Sequence, residues 1–135
     1  MNNDDEIIKK LQMIPHPEGG YFKESYRNEN ISLIYYLLKK NEKSHWHRLT
    51  KNETLHFYAG DPLRIYMSDD EINVNLFEIG KDNNFHYTIK SGTWFAMKSM
   101  GNYSLIGCSV APAFDYKDFE LAAPNWSPKN FNQDL

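Results

Sequence analysis

The 135-residue sequence has one cysteine, Cys108, so no disulfide can form within the chain. It has no excess of basic charge: 15 Lys plus Arg against 18 Asp plus Glu leave a net charge of −3. That balance excludes the basic footprint that nucleic acid or an anionic membrane surface attracts. The longest apolar run, Leu33 to Leu38, is far short of the roughly 20 residues that a membrane-spanning helix needs. The start of the chain lacks the basic and apolar segments of a secretory signal, and no P-loop, dinucleotide fingerprint or Ser/His/Asp order is present. A reduced, cytoplasmic protein is expected, with neither nucleic acid nor membrane as a partner.

Aromatic residues are what the chain has in quantity, at 15%. Phe, Tyr and Trp bury large areas and favour strands. One domain is expected over residues 1–135, since a single core absorbs a chain of this length. Asp4 or Asp5 can cap a short helix with Ile7, Ile8 and Leu11 on one stripe and Lys9 and Lys10 at the end the dipole prefers. Pro15 to Gly20, with two prolines and two glycines, reads as a loop. Nine strand-like segments then follow at short spacing: 21–27, 31–38, 44–49, 54–58, 63–67, 73–79, 85–89, 93–97 and 103–110. Without helical crossovers between them, they predict an all-β antiparallel sandwich or barrel. The core is expected over about 11–121, with 124–135 as a peripheral tail.

In Ser44-His45-Trp46-His47 the two imidazoles are two residues apart, which in a regular strand places both on one face. Glu53 shares a face with Leu55 and Phe57 on the next segment. If those apolar side chains point inward, two histidines and a carboxylate converge in an apolar cavity. That is a 2-His-1-carboxylate set suited to Fe(II), Mn(II) or Zn(II). Without metal, the same burial would tune His45, His47 and Glu53 for acid/base work. Glu24 shares a face with Phe22 and Tyr26, so Glu24 and Tyr26 form a second candidate acid/base pair. Other residues read as structural. His56 faces away from Glu53, His86 faces solvent, His16 and Glu18 sit in the glycine loop, and Cys108 is a buried, inert thiol. Trp46 and Trp94, out of phase with the histidines and with Phe95, cover the sheet exterior or a subunit interface.

His45, His47, Glu53 and Gly60 match the first cupin motif, with a gap slightly longer than usual, and Lys90-Ser91-Gly92-Thr93-Trp94-Phe95 aligns with the second. Lys90 stands at the proline position of that motif and Phe95 at its histidine, so the fourth metal ligand is missing. Five blocks in order carry a closer likeness: His16 to Phe22 with Glu24; Ser44 to His47; Phe57 to Pro62; Gly92 to Trp94; and Gly107 to Pro112 with Phe114 and Asp115. Together, from about Leu11 to Leu121, they resemble the DUF985 (cupin_5) family of RmlC-like cupins.

The resemblance implies a cupin jelly-roll barrel with a short N-terminal helix, binding a small polar, carbohydrate- or nucleotide-linked molecule. Phe22, Leu55, Phe57 and Phe95 would line the barrel. An epimerase- or isomerase-like activity would use His45 or His47 as base, Glu53 or Glu24 to orient it, and Tyr26 to return a proton. The alternatives are a cupin enzyme holding a divalent metal (Zn, Mn, Fe or Ni) weakly on His45, His47 and Glu53, or a non-catalytic ligand-binding domain. A homodimer is expected, because Trp46 and Trp94 left exposed would make an unusually large apolar patch.

Overall fold

In a computed structural model, which describes residues 3–133 and 135, eleven strands form two antiparallel sheets packed face to face. Helix α1, Asn3–Leu11, comes first, with Asp4, Asp5 and Glu6 inside its first turn and Lys9 and Lys10 in its last. Gln12 ends it in the left-handed region (φ 57°), where the Met13 N–H reaches back to the Ile8 carbonyl at 2.9 Å. Ile7, Ile8 and Leu11 pack on Met13, Leu37 and Leu105, so the apolar stripe covers the outside of one sheet.

That sheet has the order β1 (Ile14–Pro15), β2 (Tyr21–Arg27), β3 (Ser32–Lys39), β10 (Tyr103–Ala111), β5 (Asn52–Gly60) and β8 (His86–Ile89). The other has the order β11 (Phe119–Leu121), β4 (Lys43–Leu49), β9 (Trp94–Ser99), β6 (Leu63–Ser68) and β7 (Asn75–Ile79). The nine expected strands are present, with no end moved by more than two residues. Two short ones join them. Ile14 and Pro15 pair with Phe22 and Tyr21, which turns the glycine loop into a tight hairpin, and β11 lies along β4.

Alternation along each strand sorts side chains into layers. Leu38, Leu55, Ile65, Phe95, Met97 and Ile106 fill the space between the sheets. Tyr66, Trp94 and Ala96 point the opposite way and join Trp46 on the outside of the five-stranded sheet. There the tail is more than peripheral. Trp126 lies against the Trp94 ring with centroids 4.7 Å apart, and Phe131 meets Trp46 and Tyr66 edge-on at 5.3 Å. Trp46 is 1% exposed and Trp94 5%, so the chain itself covers the face that suggested a partner subunit.

Candidate functional site

Two β-bulges decide which polar side chains enter the space between the sheets. In β4 the register with β9 slips between Ser44 and His47. An extra residue reverses the alternation, so Ser44 and His47 both face inward while His45 and Trp46 face out. His45 Nε2 bonds the Ala123 carbonyl at 2.9 Å, clasping the tail. The expected convergence of His45 and His47 is therefore corrected: one imidazole reaches the cavity. The second slip, in β2 between Glu24 and Tyr26, separates the other expected pair. Glu24 stays at the cavity mouth, whereas Tyr26 is 52% exposed and accepts from the Asn28 amide at 3.2 Å. Leu55, Phe57 and Phe95 are core packing below the cavity; Phe22 lines it.

The cavity opens to solvent at one end, and the space counted out into its mouth is about 590 Å³. Its floor holds His47 from β4, Glu53 and Cys108 from the facing sheet, and two residues from the glycine loop, His16 and Glu18. The loop is pressed onto β4. The His45 N–H donates to the Glu18 carbonyl at 2.8 Å, and a Cβ on Gly19 (φ 111°) would collide with the Lys43 carbonyl, so only glycine allows this approach. Glu18 is thereby set between two imidazoles, its Oε1 3.4 Å from His16 Nε2 and its Oε2 3.2 Å from His47 Nε2. The Ser44 hydroxyl donates to Glu18 Oε2, and the Tyr36 hydroxyl to the Gly19 carbonyl.

The partners assign the tautomers. His16 Nδ1 accepts from the Glu18 N–H at 3.1 Å, which leaves the proton on Nε2, facing the carboxyl. His47 Nδ1 is 2.7 Å from the His45 carbonyl, so its proton sits on Nδ1 and its Nε2 shares one further proton with Glu18. Burial lowers both imidazoles below their usual range, Glu18 opposing this at His16 and Glu53 at His47. Burial raises Glu18, with His16 and Ser44 opposing it. At 3.2 Å the couple holds one proton between Glu18 Oε2 and His47 Nε2, and burial works against charging either group. Glu53 is pushed up to about 7, first by burial and then by Glu18, while His47 holds it down. Cys108 bonds Glu53, and burial with the two carboxyls drives the thiol well up, so it stays protonated.

A divalent metal does not fit these residues. His45 is turned away, His47 Nε2 is occupied by Glu18, and the Phe95 ring lies 4.1 Å from the His47 ring. Among the described residues no three His, Cys, Asp or Glu side chains are arranged to hold an ion. What the arrangement offers is proton exchange in a dry site. A flap after the cis Ala111-Pro112 bond supplies its aromatic cover: Phe114, Tyr116 and Phe119 line the mouth, and Phe119 lies within 6.2 Å of His16 and 5.7 Å of His47, centroid to centroid. His16 and Glu18 were read as structural. The i, i+2 spacing that drew attention to His45 and His47 is equally present in His16-Pro17-Glu18.

A family described as Cupin superfamily (DUF985) matches residues 5–122. The structure resembles that of protein SO0799 from Shewanella oneidensis at 37% identity and a TM-score of 0.87, over 91% of this chain and 86% of that one. A hypothetical protein from Leishmania major matches at 31% identity and a TM-score of 0.78, over 90% and 88% of the two chains. Oxalate decarboxylase from Bacillus subtilis shares the fold at 14% identity and a TM-score of 0.67, over 79% of this chain and 29% of that one. No curated protein matches this sequence. No helix among the described residues is long and apolar enough to cross a membrane.

Proposed function

The chain belongs to the Cupin superfamily (DUF985), and from that premise we propose that it binds a small polar carbonyl compound in the barrel and catalyses metal-independent proton transfer of the isomerase or epimerase type. The observation that carries this reading is Glu53, a buried carboxyl on the floor of an apolar cavity that titrates near 7 beside a His47–Glu18 couple holding one shared proton. A carboxyl at that value is populated in both forms at neutral pH, as a general acid/base should be.

In the proposed step the ionised Glu53 takes a proton from the carbon next to the ligand's carbonyl. That C–H electron pair becomes the enol double bond, and the carbonyl oxygen receives the proton held between Glu18 and His47. Glu53 then gives its proton to the former carbonyl carbon while the hydroxyl on the first carbon returns a proton to the Glu18–His47 couple, which completes an isomerisation. Delivery to the other face of the first carbon, with the enol hydroxyl returning its proton to the couple, completes an epimerisation. Neither needs an oxidant or reductant. His16 and Ser44 position Glu18, and Phe22 and Phe119 exclude water, which strengthens each of these interactions.

Exchange of carbon-bound hydrogen tests the reading. In D2O, with dihydroxyacetone, glyceraldehyde and common aldoses as probes, proton NMR should show deuterium entering the carbon beside the carbonyl with the unmodified protein and not with Glu53→Gln. Binding of the same probes without exchange would leave a ligand-binding cupin and overturn the catalytic reading.

A further inference from the structure

Charge is unevenly placed along this cavity. The floor carries two carboxyl groups, Glu18 and Glu53, and burial works against charge on the imidazoles of His16 and His47 beside them. Arg27, at the mouth, is the single Lys or Arg among the described lining residues. Three of its five N–H groups are engaged, and its charge is paired with Glu24. Nε is 3.1 Å from both oxygens of Glu24, Nη2 is 2.9 Å from Oε2, and Nη1 donates to the Phe114 carbonyl at 2.6 Å. Lys51, which ties down the same flap, is held in the same way, by the Ala113 carbonyl and the Asp118 carboxylate, each at 2.7 Å.

A phosphate or carboxylate entering here would shed its water against apolar walls and meet two carboxyl groups, with the one lining cation already paired to Glu24. The cost of such an uncompensated charge is large. A hydroxyl or carbonyl group finds the reverse: carboxyl, imidazole and hydroxyl groups that donate and accept, and aromatic faces for its C–H surface.

We infer that the cavity selects uncharged, hydroxyl-bearing carbonyl compounds, that is, small free sugars, over their phosphorylated or carboxylated counterparts, and that the Glu24–Arg27 pair enforces the rejection by keeping Arg27 from an incoming anion. The carbonyl rests on the proton-transfer reading; the selection by charge rests on the lining alone.

The test uses the full-length protein and the side-chain NMR signals of His16 and His47, titrated at matched concentrations with dihydroxyacetone and with dihydroxyacetone phosphate. The neutral compound should move both signals, and the phosphate should bind at least about tenfold more weakly. Glu24→Gln, which frees Arg27, should narrow that ratio. Equal or tighter binding of the phosphate by the unmodified protein, or no movement with either compound, overturns the inference; an unchanged ratio in Glu24→Gln overturns the role given to the pair. Signals that move with the neutral compound while no hydrogen exchange occurs leave charge selection standing and overturn proton transfer. Exchange confined to the phosphate does the opposite.

Discussion

Strand β4 buries two neighbouring side chains on opposite faces, Trp46 at 1% exposure and His47 at 2%, and the two surroundings differ completely. Outside, Trp46 meets Trp126 and Phe131 of the tail in edge-to-face contacts. Inside, His47 meets Glu18, Glu53 and a cavity. Equal dryness serves packing on one side, where apolar contact stabilises the fold. On the other side it serves chemistry, where desolvation holds acids and bases away from their preferred charge states at a cost to stability.

Substitutions should separate the two faces. The largest effect is expected from Trp46→Ala, which removes a buried indole that the tail closes over. It should cost about 3–5 kcal/mol, read as a lowered midpoint in chemical denaturation, with the titration of the cavity groups intact in the folded fraction. A loss below about 1 kcal/mol would mean that the tail merely rests on the sheet.

Next comes Glu53→Gln. Its carboxyl is raised from 4.5 to about 7 on folding, so between those values the folded protein holds more protons than the unfolded chain, and stability falls as pH rises through that window. The full shift corresponds to at most about 3 kcal/mol. His16 and His47, lowered below 6.5, act in the other direction: they lose stability as pH falls below 6.5. In Glu53→Gln the carboxyl contribution disappears, so stability above pH 6 should exceed that of the unmodified protein and the acid side should become steeper. Parallel pH–stability curves for the two proteins would place Glu53 outside the titrating cluster.

A smaller effect is expected from His45→Ala, which removes one half-exposed hydrogen bond to Ala123 and should cost about 1 kcal/mol. Because His45 faces the tail, dihydroxyacetone should move the His47 signal in this variant as it does in the unmodified protein. The smallest effect is expected from Phe95→His. Sequence alignment alone suggests that it completes a metal site, yet with His45 outside the barrel, retention of Zn(II), Mn(II) or Fe(II) after chelator dialysis should stay low, as measured by elemental analysis.

These contrasts also locate what sequence can disclose. Strand positions were legible because alternation and Gly/Pro breaks are local, and the motif blocks pointed to the cupin fold. Which face His45 and Tyr26 occupy was not legible, since a one-residue bulge inverts the phase and is set by pairing across the sheet. β11, with three residues and an internal Glu120, carries too little pattern to stand out, yet it brings Phe119 over both imidazoles. Glu18 was hidden for another reason. A loop carboxylate reads as solvated until the contact of Gly19 with the Lys43 carbonyl folds it under β4. Glu53 was found because its strand alternates simply from Leu55 inward, whereas His47 was found through a pairing with His45 that the bulge in β4 undoes.

The central claim is that an acid/base group is poised in the cavity, and the side-chain carboxyl of Glu53 reports on it directly. Its carbon-13 signal, assigned by comparison with Glu53→Gln and followed from pH 3 to 9, should titrate with an apparent midpoint near 7, and a midpoint in the ordinary carboxyl range near 4.5 would contradict the account.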